Sequence, residues 1–250
     1  MSRRQALVQH LIELRKRLLL ALAWLVLSFI GLLWFANDIY HYLATPLLKL
    51  LPEGSSMIAT DVAAPFFTPI KLTLFCAFAI SIPMLIYQAW RFIAPGLKSQ
   101  ERKLSMPLLV SGSLLFYSGV AFAYGVVLPA AFSFFTATTP QGVAMATDIS
   151  SYLDFVLALF SAFGLAFEIP VVVFLLCKLG ICEVSSLSQA RPHVVVASFV
   201  LGMLLTPPDI ISQTLLAIPM CLLFELGILA SRCWASTSVK QTTVANHIIS

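Results

Sequence analysis

Hydrophobic positions along the chain gather into six long runs separated by short polar intervals. The runs extend from Leu18 to Phe35, Phe67 to Ile93, Leu104 to Phe135, Tyr152 to Lys178, Val194 to Leu205 and Ile210 to Leu229. Apolar runs of this length are read as membrane-spanning helices. Prolines punctuate them: Pro69 in the first turn of the second run, Pro95 just beyond it, and Pro107 and Pro129 near the two ends of the third. Ser151 and Asp154 fit a capping box at the head of the fourth. The fifth run has only about a dozen residues, or about 18 Å of helix against a hydrocarbon core of about 30 Å. It lies between Arg191-Pro192-His193 and Thr206-Pro207-Pro208-Asp209. The sixth contains Pro219 and Glu225. Either the fifth run borrows flanking residues such as His193 and Thr206 or the bilayer thins around it, and a pair of short adjacent spans would give a thinned wedge where a partner docks or a passenger crosses.

Charge orients these spans. Arg3, Arg4, Arg15, Lys16 and Arg17 precede the first, Arg91, Lys98, Arg102 and Lys103 lie at and after the end of the second, and Lys178 and Arg191 flank the loop after the fourth. Arg232 and Lys240 follow the sixth. The other side keeps only Lys49 and Lys71 and carries Asp38, Glu53, Asp61, Asp148 and Asp209. Positive loops stay in the cytoplasm, so both termini are expected there. Of 250 residues, 60% are hydrophobic and 10% charged, against about 25% charged in a soluble domain. The expected organisation is all-α and polytopic: an amphipathic segment over 1–17, a six-span domain over 18–231 and a flexible cytoplasmic tail over 232–250.

Within the apolar runs, Glu168 stands out, in Ala166-Phe167-Glu168-Ile169-Pro170. A charge at that depth costs about 2.5–3.5 kcal/mol or more, so such residues face a protein interior or a wet cavity. In one reading Glu168 is neutral and fixes helix packing, filling the gap that Pro170 leaves at the Ala166 carbonyl. In the other, which is preferred, it lines a polar concavity with Ser161 and Gly164, beside a stripe of Ala158, Ala162 and Ala166 suited to close helix contact. Leu7, Leu11, Leu14 and Leu18 form an apolar stripe on an interfacial helix whose basic residues meet headgroups. Glu13 is an acid among those bases. It is able to pair with Arg17 four residues on, for a few tenths of a kcal/mol. Glu101 is likewise an acid in a basic loop. Two such acids facing one groove would accept the fork of an incoming arginine, which lysine matches poorly.

Other chemistry is not signalled. The sequence has no phosphate loop, no H-E-x-x-H and no G-x-S-x-G. Its five cysteines have no zinc spacing and its four histidines sit at or beyond span ends. No enzyme, cofactor, metal or nucleic acid is expected. Ser2-Arg3-Arg4-Gln5 looks like an export signal, but a charged stretch separates it from the first run and five more spans follow. A proton-linked small-solute transporter using Glu168 is the alternative function, although no internal repeat is evident.

Longer motifs carry a family likeness. They are His10-Leu11-Ile12-Glu13-Leu14-Arg15-Lys16-Arg17, Phe66-Phe67-Thr68-Pro69-Ile70-Lys71, Phe92-Ile93-Ala94-Pro95-Gly96-Leu97, Ala162 through Pro170, and Gly202-Met203-Leu204-Leu205-Thr206-Pro207-Pro208-Asp209. Over roughly Leu7 to Ser231 the chain resembles the TatC family, the multispanning receptor of the twin-arginine translocase. The resemblance implies a concave six-helix bundle in the bacterial inner membrane. It implies binding of paired-arginine signal peptides at the cytoplasmic face and recruitment of the single-span proteins TatB and TatA. Folded cargo then crosses on the proton-motive force, through a hetero-oligomer with several TatC copies in lipid. Carried over by motif, Glu13 and Glu101 would receive the signal's arginines, supported by Arg15 and Phe92. Met203, Thr206 and Gln213 would meet partner helices. Pro46, Phe66 and Asp209 would belong to the outer cap and loops, and Glu168 would line the concave face.

Overall fold

Inside a bilayer no water satisfies backbone N–H and C=O groups, so an apolar run must close its hydrogen bonds within itself as a helix. The computed structural model describes residues 3–50, 57–93, 105–138, 147–205 and 210–249. Helices α1 (Arg3–Leu33), α2 (Ala36–Leu50) and α3 (Ala64–Ile93) come first, then α4 (Ser105–Phe122), a π-helical turn (Ala123–Val127) and α5 (Leu128–Thr138). They are followed by α6 (Ile149–Ala166), α7 (Ile169–Lys178), α8 (Val184–Gln189), α9 (Arg191–Leu205) and α10 (Ile210–Ile249). Among the described residues the only β pairing is a single bridge between Ile58 and Asp148. Among the described residues five stretches are long and apolar enough to cross a membrane: Val8–Leu33, Ala64–Phe92, Met106–Thr138, Ile149–Lys178 and Gln213–Cys233. Arg191–Leu204 is apolar but shorter. Large side chains such as Leu22, Leu27 and Ile30 point outward, as lipid-facing positions do.

The helices meet around aromatic side chains. Phe160, Phe163, Val156, Leu159 and Tyr152 of α6 bury against Ala123, Val127 and Leu128, and Leu216 of α10 joins them. Phe122 lies 5.6 Å from Phe163 and Phe132 5.8 Å from Tyr152, ring centre to ring centre. The α4–α6 contact is close because small residues permit it. A Cβ on Gly119 would run into the Phe163 carbonyl oxygen and stand 2.9 Å from its carbon.

Prolines shape the long helices. Pro83 lies inside α3 and cannot bond to the Ala79 carbonyl. Tyr117 of α4 donates its hydroxyl to that oxygen at 3.0 Å. Ahead of Pro129 the chain widens into the π turn, where the Leu128 N–H reaches back to the Ala123 carbonyl. The fourth run is broken at Phe167-Glu168, with Pro170 at the start of α7. There the Glu168 N–H bonds to the Leu165 carbonyl at 3.1 Å, three residues back.

Four details differ from expectation. The interval after the first run holds a whole helix, α2, which starts after the turn at Trp34-Phe35 and sends Leu43 against the core. The cap of α6 is Asp148 rather than Ser151, whereas Asp154 pairs with Lys71 at 2.9 and 3.0 Å. Of the last two spans only α9 is short, since the apolar part of α10 has 21 residues, or about 30 Å. Helix α10 also runs on to Ile249, into the segment expected to be a flexible tail.

Asp148 does more than cap. Its carboxylate accepts from the Ser151 N–H at 2.9 Å and the Ser151 hydroxyl at 3.0 Å. It also accepts from the Thr60 N–H at 3.0 Å and the Thr60 hydroxyl at 2.9 Å. Beside it, the Ile58 N–H bonds to the Thr147 carbonyl and the Ile149 N–H to the Ile58 carbonyl. Those bonds, from Ser151 first and Thr60 next, hold the Asp148 carboxyl well below the usual carboxylate range. A depressed carboxyl contributes its stability above its ordinary value and loses it as pH falls towards the lowered one. The clasp is therefore expected to hold at pH 7 and to loosen only below about pH 4. Amide protection at Ile58 and Ile149, corrected for the intrinsic exchange rate at each pH, checks this: protection lost already between pH 7 and 5 would contradict it.

Candidate functional site at the α1–α3 rim

The start of α1 lies against the end of α3, so the two helices run antiparallel. His10 stacks on Phe92 with ring centres 4.2 Å apart and planes 23° from parallel. Two turns further along α1, the Arg17 guanidinium donates Nη2 to Glu13 Oε1 at 3.1 Å and Nη1 to Gln88 Oε1 at 3.3 Å. The first bond is the i,i+4 pair expected from spacing. The second ties the pair to α3. Gln88 is 5% exposed, and the Arg17 and Glu13 side chains are 16% and 32% exposed. Glu13 is thus held by its neighbour while its carboxylate still meets solvent. Arg15 is exposed on α1. Arg91, one residue before Phe92, rests its guanidinium 5.7 Å over the Tyr87 ring and donates to the Tyr87 hydroxyl at 3.2 Å. The rim therefore offers one partly open acid in basic and aromatic surroundings, suited to a cationic guest with an apolar flank. Glu101, the second expected acid, lies outside the described residues.

Glu168 sits at the α6–α7 break, half-buried. Its carboxyl faces α4, with Oε2 3.2 Å from where a Gly112 Cβ would stand. Oε1 is buried without a hydrogen-bond partner. The expected polar face is divided. Gly164 is covered by Phe116, whose Cε2 lies 2.6 Å from a Cβ built there. Ser161 opens instead on a groove of about 520 Å³ shared with Lys71, Phe78 and Leu25. The alanine stripe divides as well. Ala158 lines that same groove, while Ala162 and Ala166 pack near Met220 and Leu223 of α10.

The remaining expected residues are spread widely. Met203 is exposed near the end of α9. Gln213, half-buried near the start of α10, abuts Gly202, where a Cβ would be 3.4 Å from the Gln213 backbone. Phe66 is exposed at the head of α3, edge-on to Phe67 at 5.2 Å. Pro46 falls within α2, its side chain outside the described residues, and Thr206 and Asp209 are outside them altogether. Sequence reasoning missed Gln88 and His10, and also the fork by which Arg191 grips Glu225, Nε to Oε1 at 2.6 Å and Nη2 to Oε2 at 2.8 Å. Gln88 carried a signal, being a lone amide among Ile86, Tyr87, Ala89 and Trp90. Its partner, 71 positions away, did not.

The helices and rim define a multi-pass membrane protein with a partly open acid at one end. Residues 9–219 match the family model described as Sec-independent protein translocase protein (TatC). The Haemophilus influenzae protein of that description is 59% identical over 228 residues, covering 91% of this chain and 89% of its own length. The Escherichia coli K12 protein is also 59% identical, over 91% of this chain and 88% of its own. A crystal structure described as the twin-arginine translocase receptor TatC superposes with a TM-score of 0.81 at 38% identity, covering 90% of this chain and 98% of that one. A second, in the detergent DDM, gives 0.82 at 37% identity over 89% and 99%. The chain belongs to the TatC family, and so to the multi-pass proteins of the bacterial inner membrane.

Proposed function

We propose that the chain is the receptor and core assembly subunit of a twin-arginine translocase. It binds paired-arginine signal peptides at the cytoplasmic rim and exports folded proteins on the proton-motive force. The observation that carries this is Glu13, whose carboxylate is braced between α1 and α3 yet open to solvent. A braced acid loses little entropy on meeting a guanidinium, and the pairing of arginine with carboxylate is bidentate and strong. Glu101 is the second acid of the receptor, with Arg15 and Phe92 in support. Both termini lie in the cytoplasm, consistent with the loop charges. TatB and TatA are the single-span partners. Met203, Thr206 and Gln213 meet their helices, and Pro46, Phe66 and Asp209 serve the outer cap and loops. Several copies assemble with these partners in lipid.

The test is peptide binding to the purified full chain, comparing an Arg-Arg signal peptide with its Lys-Lys twin, in wild type and Glu101→Ala. Binding selective for Arg-Arg and lost in the variant is expected. No binding, even with a TatB-like partner restored, would sink the receptor and shift attention to proton flux through Glu168.

A further inference from the structure

Among the described residues two arginines hold carboxylates, and they do so differently. Arg191 closes a full fork on Glu225, with two nitrogens on two oxygens at 2.6 and 2.8 Å. Arg17 gives Glu13 a single nitrogen at 3.1 Å and spends its other terminal nitrogen on Gln88 at 3.3 Å. Its Nε is buried with no partner at all. The Arg17 guanidinium is therefore divided between two acceptors, with a full fork on neither. A close charge-assisted fork has both bonds near about 2.7–2.9 Å, so Arg17 is held by two longer single bonds rather than by one fork.

This division bears on selectivity. An arriving guanidinium needs both oxygens of Glu13 for its fork, whereas an ammonium is a point charge served by one. While Arg17 sits on Oε1, an arriving guanidinium must share that oxygen, which weakens its fork more than it weakens an ammonium's single contact on Oε2. We propose that Gln88 is the residue that sets arginine-over-lysine selectivity. It is the second seat onto which Arg17 moves when a signal arginine takes both Glu13 oxygens. Gln88 suits this work. It is buried on α3, its Oε1 already accepts from Arg17, and its own Nε2 has only the weak Met84 sulfur at 3.9 Å. Gln88 touches no peptide in this scheme and acts through Arg17, so it is a positioning residue. The inference rests on Glu13 being a receptor acid.

The experiment measures affinities of the full chain, in lipid nanodiscs, for the Arg-Arg and Lys-Lys peptides. Gln88→Leu removes the second seat and keeps the bulk. It is expected to lower the ratio of the two affinities by about tenfold, the factor that 1.4 kcal/mol represents. Gln88→Glu makes the seat a carboxylate, draws Arg17 off Glu13, and is expected to raise the ratio. Opposite movement in the two variants is what a merely structural amide would not produce. If both variants lower the ratio alike, or neither changes it, the proposal is overturned. A wild type that binds both peptides equally would overturn the receptor reading itself, and a Glu13→Gln variant that binds as wild type does would remove Glu13 from the receptor. Those results are distinguishable because they do not involve Gln88.

Discussion

Glu13→Gln is expected to weaken binding of an Arg-Arg signal peptide by about ten- to a hundredfold. A charge-assisted hydrogen bond contributes about 1.5–3 kcal/mol, and about 1.4 kcal/mol is a factor of ten in affinity. The substitution isolates charge. A Gln oxygen still accepts from Arg17, and Arg17 still reaches Gln88. The His10–Phe92 stack lies elsewhere on the same interface, so α1 remains docked on α3. Affinity should fall while the elution profile and helix content of the purified protein stay as they were. Fluorescence anisotropy with a labelled peptide measures it, and undiminished affinity would remove Glu13 from the receptor.

Gly119→Ala is expected to have the largest structural effect. The added methyl meets the Phe163 backbone and also stands 3.0 Å from the Phe167 Cβ. Backbone cannot turn aside as a flexible side chain does, so α4 and α6 must separate. Overpacking of this kind costs about 1–3 kcal/mol and occasionally more. It acts where Val156, Leu159 and Phe163 are sealed from solvent. Gly31→Ala serves as the control, since nothing stands within 4 Å of its Cβ. A lower melting temperature for the first and an unchanged or slightly higher one for the second are expected. Equal melting for the two would contradict the close helix contact.

These predictions mark what could be read from sequence and what could not. The spans were legible because membrane burial demands unbroken apolar runs, a one-dimensional property. The Glu13–Arg17 pair was legible because four residues make one helical turn. Gln88 was not, because its partner is set by how α1 lies on α3. The cap of α6 failed for a related reason. Asp148 and Ser151 are both good cap residues three positions apart, and Asp148 is secured by Thr60 from a distant loop. With Asp148 at the cap, Asp154 faces Lys71 of α3. Helix α2 escaped because Trp34 and Phe35 extend the first apolar run and Pro46 reads as a break. Glu168 was legible as an anomaly, but its contact with Gly112 depends on the α6–α7 break turning it towards α4.

Pro83 invites a view of α3 as two jointed pieces, one bearing Lys71 and the other Gln88 and Phe92. The Tyr117 hydroxyl on the Ala79 carbonyl works against that joint and acts as a splint. A splinted α3 moves as a single lever. Lys71 and Phe92, 21 positions apart, stand about 30 Å from each other along its axis. A tilt of α3 at its Phe92 end is therefore carried to its Lys71 end, where the ion pair with Asp154 ties the helix to α6.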